Sequence, residues 1–481
     1  MTIQRNLFIL LIAVTFSIQT SAATIVINPG VGFDDTTLPK AGQKGNNPGN
    51  NLGELRLNLF QEAAKVWADI LNSAVTITVN AKFEKFGPDE CVGNATQLGH
   101  AGPTRTYENF GSGDPNIAYA VALAESLSGT ELNGASAEIS AAFNARVDLD
   151  PNCLGGGGFY YGLDDNAPVG TSALFATVLH EMGHGLGFLS YVTPDGSWLN
   201  GTMDPFSRLL MDLQTGKSWP NMSNLERSNS LLNEPSLVWT GAKVTADRAK
   251  HLAAAPELRI NAPAPAGTFE ANLGQQSVAI PGAGVTAAVA DGNTVADLDP
   301  DAAPADGCSQ IAFGGTFAGK IAMFDATLDC SAAVQTYYSQ LEGAVGVVIA
   351  ATGAGLPNVN GLVTLPPGQN LTTPYIGINK SEADKLRSNI GAANATIQNS
   401  PTKLVGENQG KVKMYAPIVL EEGSSVSHWS KTASPDLLME PALGDLTFEN
   451  VDLTAAAFHD IGWSVNIPGG VLEVIFEDGF E

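Results

Sequence analysis

Positive charge is scarce in this chain: 24 Lys and Arg stand against 49 Asp and Glu, a formal net charge of −25. Such a surface repels phosphate backbones and anionic lipid at long range, which argues against nucleic acid and membrane surfaces as partners. Long apolar runs are missing as well, apart from one near the start. That run, from Leu7 to Phe16, is interrupted afterwards by Ser17, Gln19 and Thr20, and falls short of the roughly 20 residues a membrane span needs. With Arg5 before it and the small residues Ser21, Ala22 and Ala23 after it, the segment reads as a signal peptide over 1–23, cleaved near Ala22 or Ala23. The expected location is secreted, extracellular or periplasmic.

Cysteine is limited to Cys91, Cys153, Cys308 and Cys330. An oxidising compartment favours two disulfides over free thiols, and four cysteines allow three connectivities. Pairing within each half, Cys91 with Cys153 and Cys308 with Cys330, is the expected one. No cysteine occurs in the Gly/Asn/Pro-rich stretch 28–53, which reads as loop and excludes a thiol latency switch there. The acidic excess makes Ca2+ conceivable, but no D-x-[DN]-x-[DN]-G loop supports it.

What is present is enough for large cores: 44% of the 481 residues are hydrophobic, and the length suits about two to four domains. Leu59, Ala63, Val66, Trp67 and Ile70 fall on one face of a helix beginning near Leu55. Val75, Ile77, Val79, Ala81 and Phe83 then alternate as a strand, and a second extended segment covers 136–144. Residues 252–274, rich in Ala and Pro, read as a boundary. Beyond them a Gly-rich, β-rich module runs over 262–400, and helical periodicity returns near the end in "LTAAAFHDIGW". Helix, strand and later active-site helix define an α+β class.

The chemistry concentrates in "ATVLHEMGHGLGFLS", 176–190. A helix starting at Ser172, capped by Thr171 or Ser172, places His180 and His184 on one face, four residues apart, where both rings can bind one metal. Glu181 between them can take a proton from water activated by that metal and pass it to a leaving amine. Catalytic Zn2+ usually has three protein ligands and an open position. In the metzincin pattern H-E-x-x-H-x-x-G-x-x-H, a glycine, here Gly187, ends the helix and turns the chain towards a third histidine. This chain has Ser190 at that position, a poor zinc ligand.

Among the remaining histidines, His100 sits in a loop reading, His251 near the boundary and His459 in the terminal helix, and none has a metal-site context. His428 lies in "SSVSHWSKTASPDLLMEP", eleven residues before Met439, the pattern of a ligand followed by a methionine turn beneath the metal. His428 is therefore the expected third ligand and Met439 the supporting methionine. A downstream carboxylate, Glu226, is the alternative third ligand.

The widely separated third histidine resembles leishmanolysin-type metzincins. "GKIAMFDATLDCSAAVQTYYSQLEGAVGVVIAA" is similar to a protease-associated (PA) domain, although Thr327, Leu328 and Asp329 replace the usual Arg-Gly. Together the pieces resemble secreted, PA-domain-containing metalloproteases of bacteria. The resemblance implies a metzincin-like catalytic domain, a twisted sheet plus active-site helix, divided between 24–261 and 401–470, an inserted α/β PA domain at 262–400, and a tail at 471–481. It further implies one catalytic Zn2+, protein or peptide substrates, and an edge strand at 136–144 for extended peptides. No tyrosine follows Met439, so a tyrosine ligand is not implied. The competing reading is a PA-domain binding or adhesion protein with a structural or vestigial zinc site.

Overall fold

The first helix, α1 (Leu52–Ile70), buries Leu55, Leu59, Phe60, Ala63 and Trp67, the apolar positions spaced at three and four, while Val66 and Ile70 are only half-buried. Asn51 caps it by accepting from the Glu54 N–H. In the computed structural model the described residues are 21–87, 91, 96–164, 166–262, 266–295, 306–310, 314–361, 363–442 and 451–466. The signal-peptide reading up to residue 20 and the tail 471–481 lie outside them. Two compact units divide the chain, one made of Met1–His251 with Lys411–Glu481 and the other of Leu252–Gly410.

In the first unit, a four-stranded sheet packs on α1. Its strands are β1 (Ile25–Pro29), β2 (Ile77–Glu84), β3 (Gly99–Pro103) and β4 (Ile139–Asn144), in the order β1-β2-β4-β3. The first three in that order are parallel, and β3 runs antiparallel to β4. Ile77, Val79, Ala81 and Phe83 of β2 point inwards, as their alternation predicts, and Phe60, Phe83 and Phe143 form an aromatic cluster between helix and sheet. The resemblance places the edge strand at 136–144. That segment lies inside the sheet instead, because Gly99–Pro103, read as loop for want of β-branched residues, pairs along its outer side from Gly99↔Phe143 to Pro103↔Ile139.

Two further helices of this unit are α2 (Val121–Ser128) and α3 (Leu174–Gly185), the second of which carries His180, Glu181 and His184. The expected cap of α3 is corrected: Ala173 occupies the N-cap position without a side-chain bond, and Thr171 Oγ1 instead donates to the Pro168 carbonyl. The terminal helix, Thr454–Ile461, presents Phe458 to Trp67 of α1, ring centroids 5.0 Å apart. Cys91 and Cys153 are bonded in this unit.

The second unit is a closed barrel of β5 (Ala254–Ala262), β6 (Gly267–Leu273), β7 (Val285–Asp291), β8 (Ile321–Asp325), β9 (Gly346–Ala350), β10 (Tyr375–Ile378) and β11 (Asn394–Leu404). The order around it is β5-β6-β10-β9-β8-β7-β11. β8 and β9 are buried almost throughout, as parallel strands covered on both faces are. One core gathers Leu258, Ile260, Met323, Val348, Ile376 and Ile397; a second packs Phe317, Phe324 and Tyr375 beneath the helix Ala332–Leu341. Cys308 and Cys330 are bonded here. The unit is wider than the expected 262–400. Its outermost strands β5 and β11 lie side by side, and the Val405 N–H donates to the Ala253 carbonyl at 2.9 Å. The high Ala and Pro content of 252–274 hid the alternation of Leu258 and Ile260, so a pair of strands read as a boundary.

Candidate metal centre

α3 ends because Gly187 adopts φ +116°, a left-handed conformation open to glycine. The Phe188 N–H reaches back to the Gly183 carbonyl at 3.1 Å and the Gly187 N–H to His184 at 3.0 Å, a Schellman closure. This turn aims the Phe188 carbonyl at the ring of His184, whose Nδ1 lies 2.7 Å from it. The helix stop and the orientation of a site residue are therefore one feature.

The other two rings are held in the same way. His180 Nδ1 is 2.6 Å from the Leu438 carbonyl, and His428 Nδ1 is 2.7 Å from the Ser424 carbonyl. A carbonyl only accepts, so each ring donates from Nδ1, and in the neutral form each Nε2 is a bare acceptor. The three Nε2 atoms face one another at 3.1 Å for His180–His184, 3.2 Å for His184–His428 and 3.2 Å for His180–His428. Burial keeps all three rings neutral. It depresses His180 to about 3, with the neighbouring His184 adding to it, depresses His184 to about 4, and sets His428 well below the ordinary range with help from His184 and His180. Three buried lone pairs with no proton between them call for a cation. Zinc at 2.0–2.1 Å from each nitrogen separates tetrahedral ligands by about 3.3 Å, so this donor set fits zinc. Among the described residues no fourth His, Cys, Asp or Glu joins the group.

Glu181, 8% exposed, lies between the two helical histidines in sequence. Burial pushes its carboxyl up to about 8, and the backbone N–H of Ala101 in β3 partly opposes that by donating to it. The true edge strand thus touches the acid of the motif. Met439 is fully buried against Gly183: a Cβ on Gly183 would come 2.8 Å from the Met439 sulfur. Glycine at the third position after His180 is what lets the methionine pass under the helix.

His428 arrives on a short ladder. The Tyr415 N–H donates to the His428 carbonyl at 2.9 Å, and the Trp429 N–H donates to the Met439 carbonyl at 2.8 Å. The turn carrying Met439 is closed by the Leu437 N–H on Glu440 Oε1 at 2.9 Å and by the Leu438 N–H on the buried Asp452. From the other side, Trp67 Nε1 donates to the Leu179 carbonyl and Trp463 Nε1 to Leu186, each at 3.0 Å. Met439 carries a signal in the sequence, whereas no motif marks Trp67, Trp463, Glu440 or Asp452 as supports of the site.

The remaining expectations fall elsewhere. Ser190 hydrogen-bonds to Ser207 and Ser427 rather than joining the cluster. Glu226 forms a capping box with Ser223 and an ion pair with Lys217, so the alternative third ligand is not brought to the histidines. His100 lies on β3, stacked on Phe86 at 5.1 Å; His251 ends the helix Ala242–His251, and His459 is exposed on the terminal helix.

Residues 285–386 match the PA domain family model, so the second unit contains a PA domain and the chain as a whole is a mixed α+β protein. No curated protein matches the chain. Similar solved structures include a peptidase M28 precursor from Shewanella amazonensis SB2B, 18% identical with TM-score 0.25, over 31% of this chain and 34% of that one. The zinc aminopeptidase BSAP from Bacillus subtilis is 15% identical with TM-score 0.23, over 33% and 36%. An aminopeptidase from Aneurinibacillus sp. strain AM-1 is 22% identical with TM-score 0.22, over 32% of each chain. The chain spans about a third of the length of these structures.

Proposed function

We propose that this chain is a secreted zinc-dependent endopeptidase of metzincin type, with a distant third histidine and an added PA domain. The observation that carries the reading is the convergence of the His180, His184 and His428 Nε2 atoms within 3.2 Å, beside a buried Glu181. His180, His184 and His428 would hold one zinc, which supplies acidity to a water and polarises the scissile carbonyl. Glu181 takes the proton of the attacking water at its carboxylate and delivers it to the leaving nitrogen as the C–N bond breaks. Its buried site and the Ala101 N–H fix the carboxylate in place for both transfers. Met439 and the three carbonyl acceptors hold the rings in register.

Among the described residues β3 is the outermost strand of its sheet, and its outward backbone groups not taken by Glu181 would pair with an extended peptide added as a further strand. Recognition along a strand edge reads backbone rather than chain ends, which favours cleavage inside a chain. The two disulfides suit export. A structural zinc in an adhesion protein would ordinarily have four protein ligands, and three are gathered here among the described residues.

Glu181→Gln tests the reading. Cleavage of an unstructured protein substrate should fall by about 10²–10⁴-fold while zinc content stays at the wild-type value. Unchanged cleavage would remove Glu181 from the mechanism, and no cleavage by zinc-loaded wild type would remove the peptidase assignment.

A further inference from the structure

Away from the histidines, one carboxylate oxygen from each of Glu125, Glu131 and Glu138 lies within 4.8 Å of the other two. Like charges this close repel unless something lies between them, and none of the three forms an ion pair with Lys or Arg among the described residues. Two further oxygens point to what is required. Glu125 is 1% exposed, its Oε1 accepts from the Leu132 N–H at 2.9 Å, and its Oε2 is buried with no N–H donor among the described residues. Asn133 Oδ1, in the loop that closes over the acids, is also buried without a partner among the described residues, while its Nδ2 donates to Glu138 at 2.8 Å. A buried acceptor left unsatisfied costs about 1–3 kcal/mol, more when charged, so two in one acidic pocket are unexpected without a ligand.

We propose that Glu125, Glu131, Glu138 and Asn133 form a calcium site, distinct from the histidine centre. Every donor is an oxygen, with no imidazole or thiolate, which selects a hard cation over zinc. The bound ion cancels the repulsion and gives both orphan oxygens a partner. Glu125 comes from α2, Glu131 and Asn133 from the following loop, and Glu138 from the residue before β4. The site therefore ties the loop to the sheet at the point where it supports β3: Thr104, next to the edge strand, donates its N–H to the Glu138 carbonyl at 2.8 Å and its hydroxyl to Ala137 at 2.7 Å. Calcium at this place would stiffen the strand that faces Glu181.

The test uses the full chain, loaded with zinc and dialysed against calcium-free buffer, then titrated with calcium chloride by calorimetry, with thermal unfolding followed in parallel. One calcium per chain and a raised unfolding temperature are expected. Glu131→Gln, at an exposed side chain and checked for a cooperative unfolding transition, should weaken binding by about tenfold or more, and Glu125→Gln should abolish it. No uptake by wild type at millimolar calcium, as a proton shared between Glu125 and Glu131 would produce, overturns the proposal. Equal affinity in Glu131→Gln also overturns it. Because zinc stays bound and activity is not the readout, neither result depends on the peptidase reading.

Discussion

The backbone N–H of Ser190 donates to Oγ of Ser427 at 3.1 Å, joining the end of the helical motif to the residue beside His428 across 237 positions of sequence. Ser190 stands where a contiguous motif would carry its third histidine. Here it anchors the segment that brings one. Ser427→Ala removes the acceptor and should cost about 0.5–1.5 kcal/mol of stability, with faster loss of zinc to a chelator; thermal unfolding and a zinc-release assay measure both. Unaltered release would mean that the contact does not position His428.

Gly187 joins the helix stop to the orientation of His184. At φ +116° a side chain is strained whatever space surrounds it. Gly187→Ala should therefore lower stability by about 1–3 kcal/mol and weaken zinc binding along with it, because the Phe188 carbonyl that receives the His184 Nδ1–H moves with the turn. A variant equally destabilised but with wild-type zinc affinity would separate the two roles.

The acidic pocket gives calcium-free protein a pH dependence of definite sign. Burial pushes the Glu125 carboxyl up to about 7, opposed by the Leu132 N–H and reinforced by Glu131 and Glu138. A carboxyl whose pKa is higher folded than unfolded contributes stability that is complete below its unfolded value and lost as pH rises through the folded one. Calcium-free protein should thus lose stability between about pH 4.5 and 7, more steeply than Glu125→Gln. Saturating calcium should flatten the wild-type curve. Parallel curves for wild type and variant would show that Glu125 does not titrate in that window.

How much of this was legible in the sequence follows from how local each signal is. His180 and His184 share one helical turn, so four residues of spacing were enough to pair them. His428 was legible because Met439 follows it in a recognisable pattern, although nothing in either segment encodes the 3.2 Å approach. Sheet order was not legible: alternation marks Ile139–Asn144 as a strand but does not say what lies beside it, and "GHAGP" has the composition of a loop. Glu125, Glu131 and Glu138 follow no fixed motif spacing, and only the loop folding back over α2 gathers them. The carbonyls of Phe188, Ser424 and Leu438 carry no side-chain signature at all, since every residue has one.

Zinc per chain, measured by elemental analysis for wild type and His428→Ala, addresses the centre most directly. One zinc in wild type, and its loss from a variant with an unchanged far-UV spectrum and a cooperative unfolding transition, is the expected result. Tight retention of zinc by His428→Ala would contradict His428 as the third ligand.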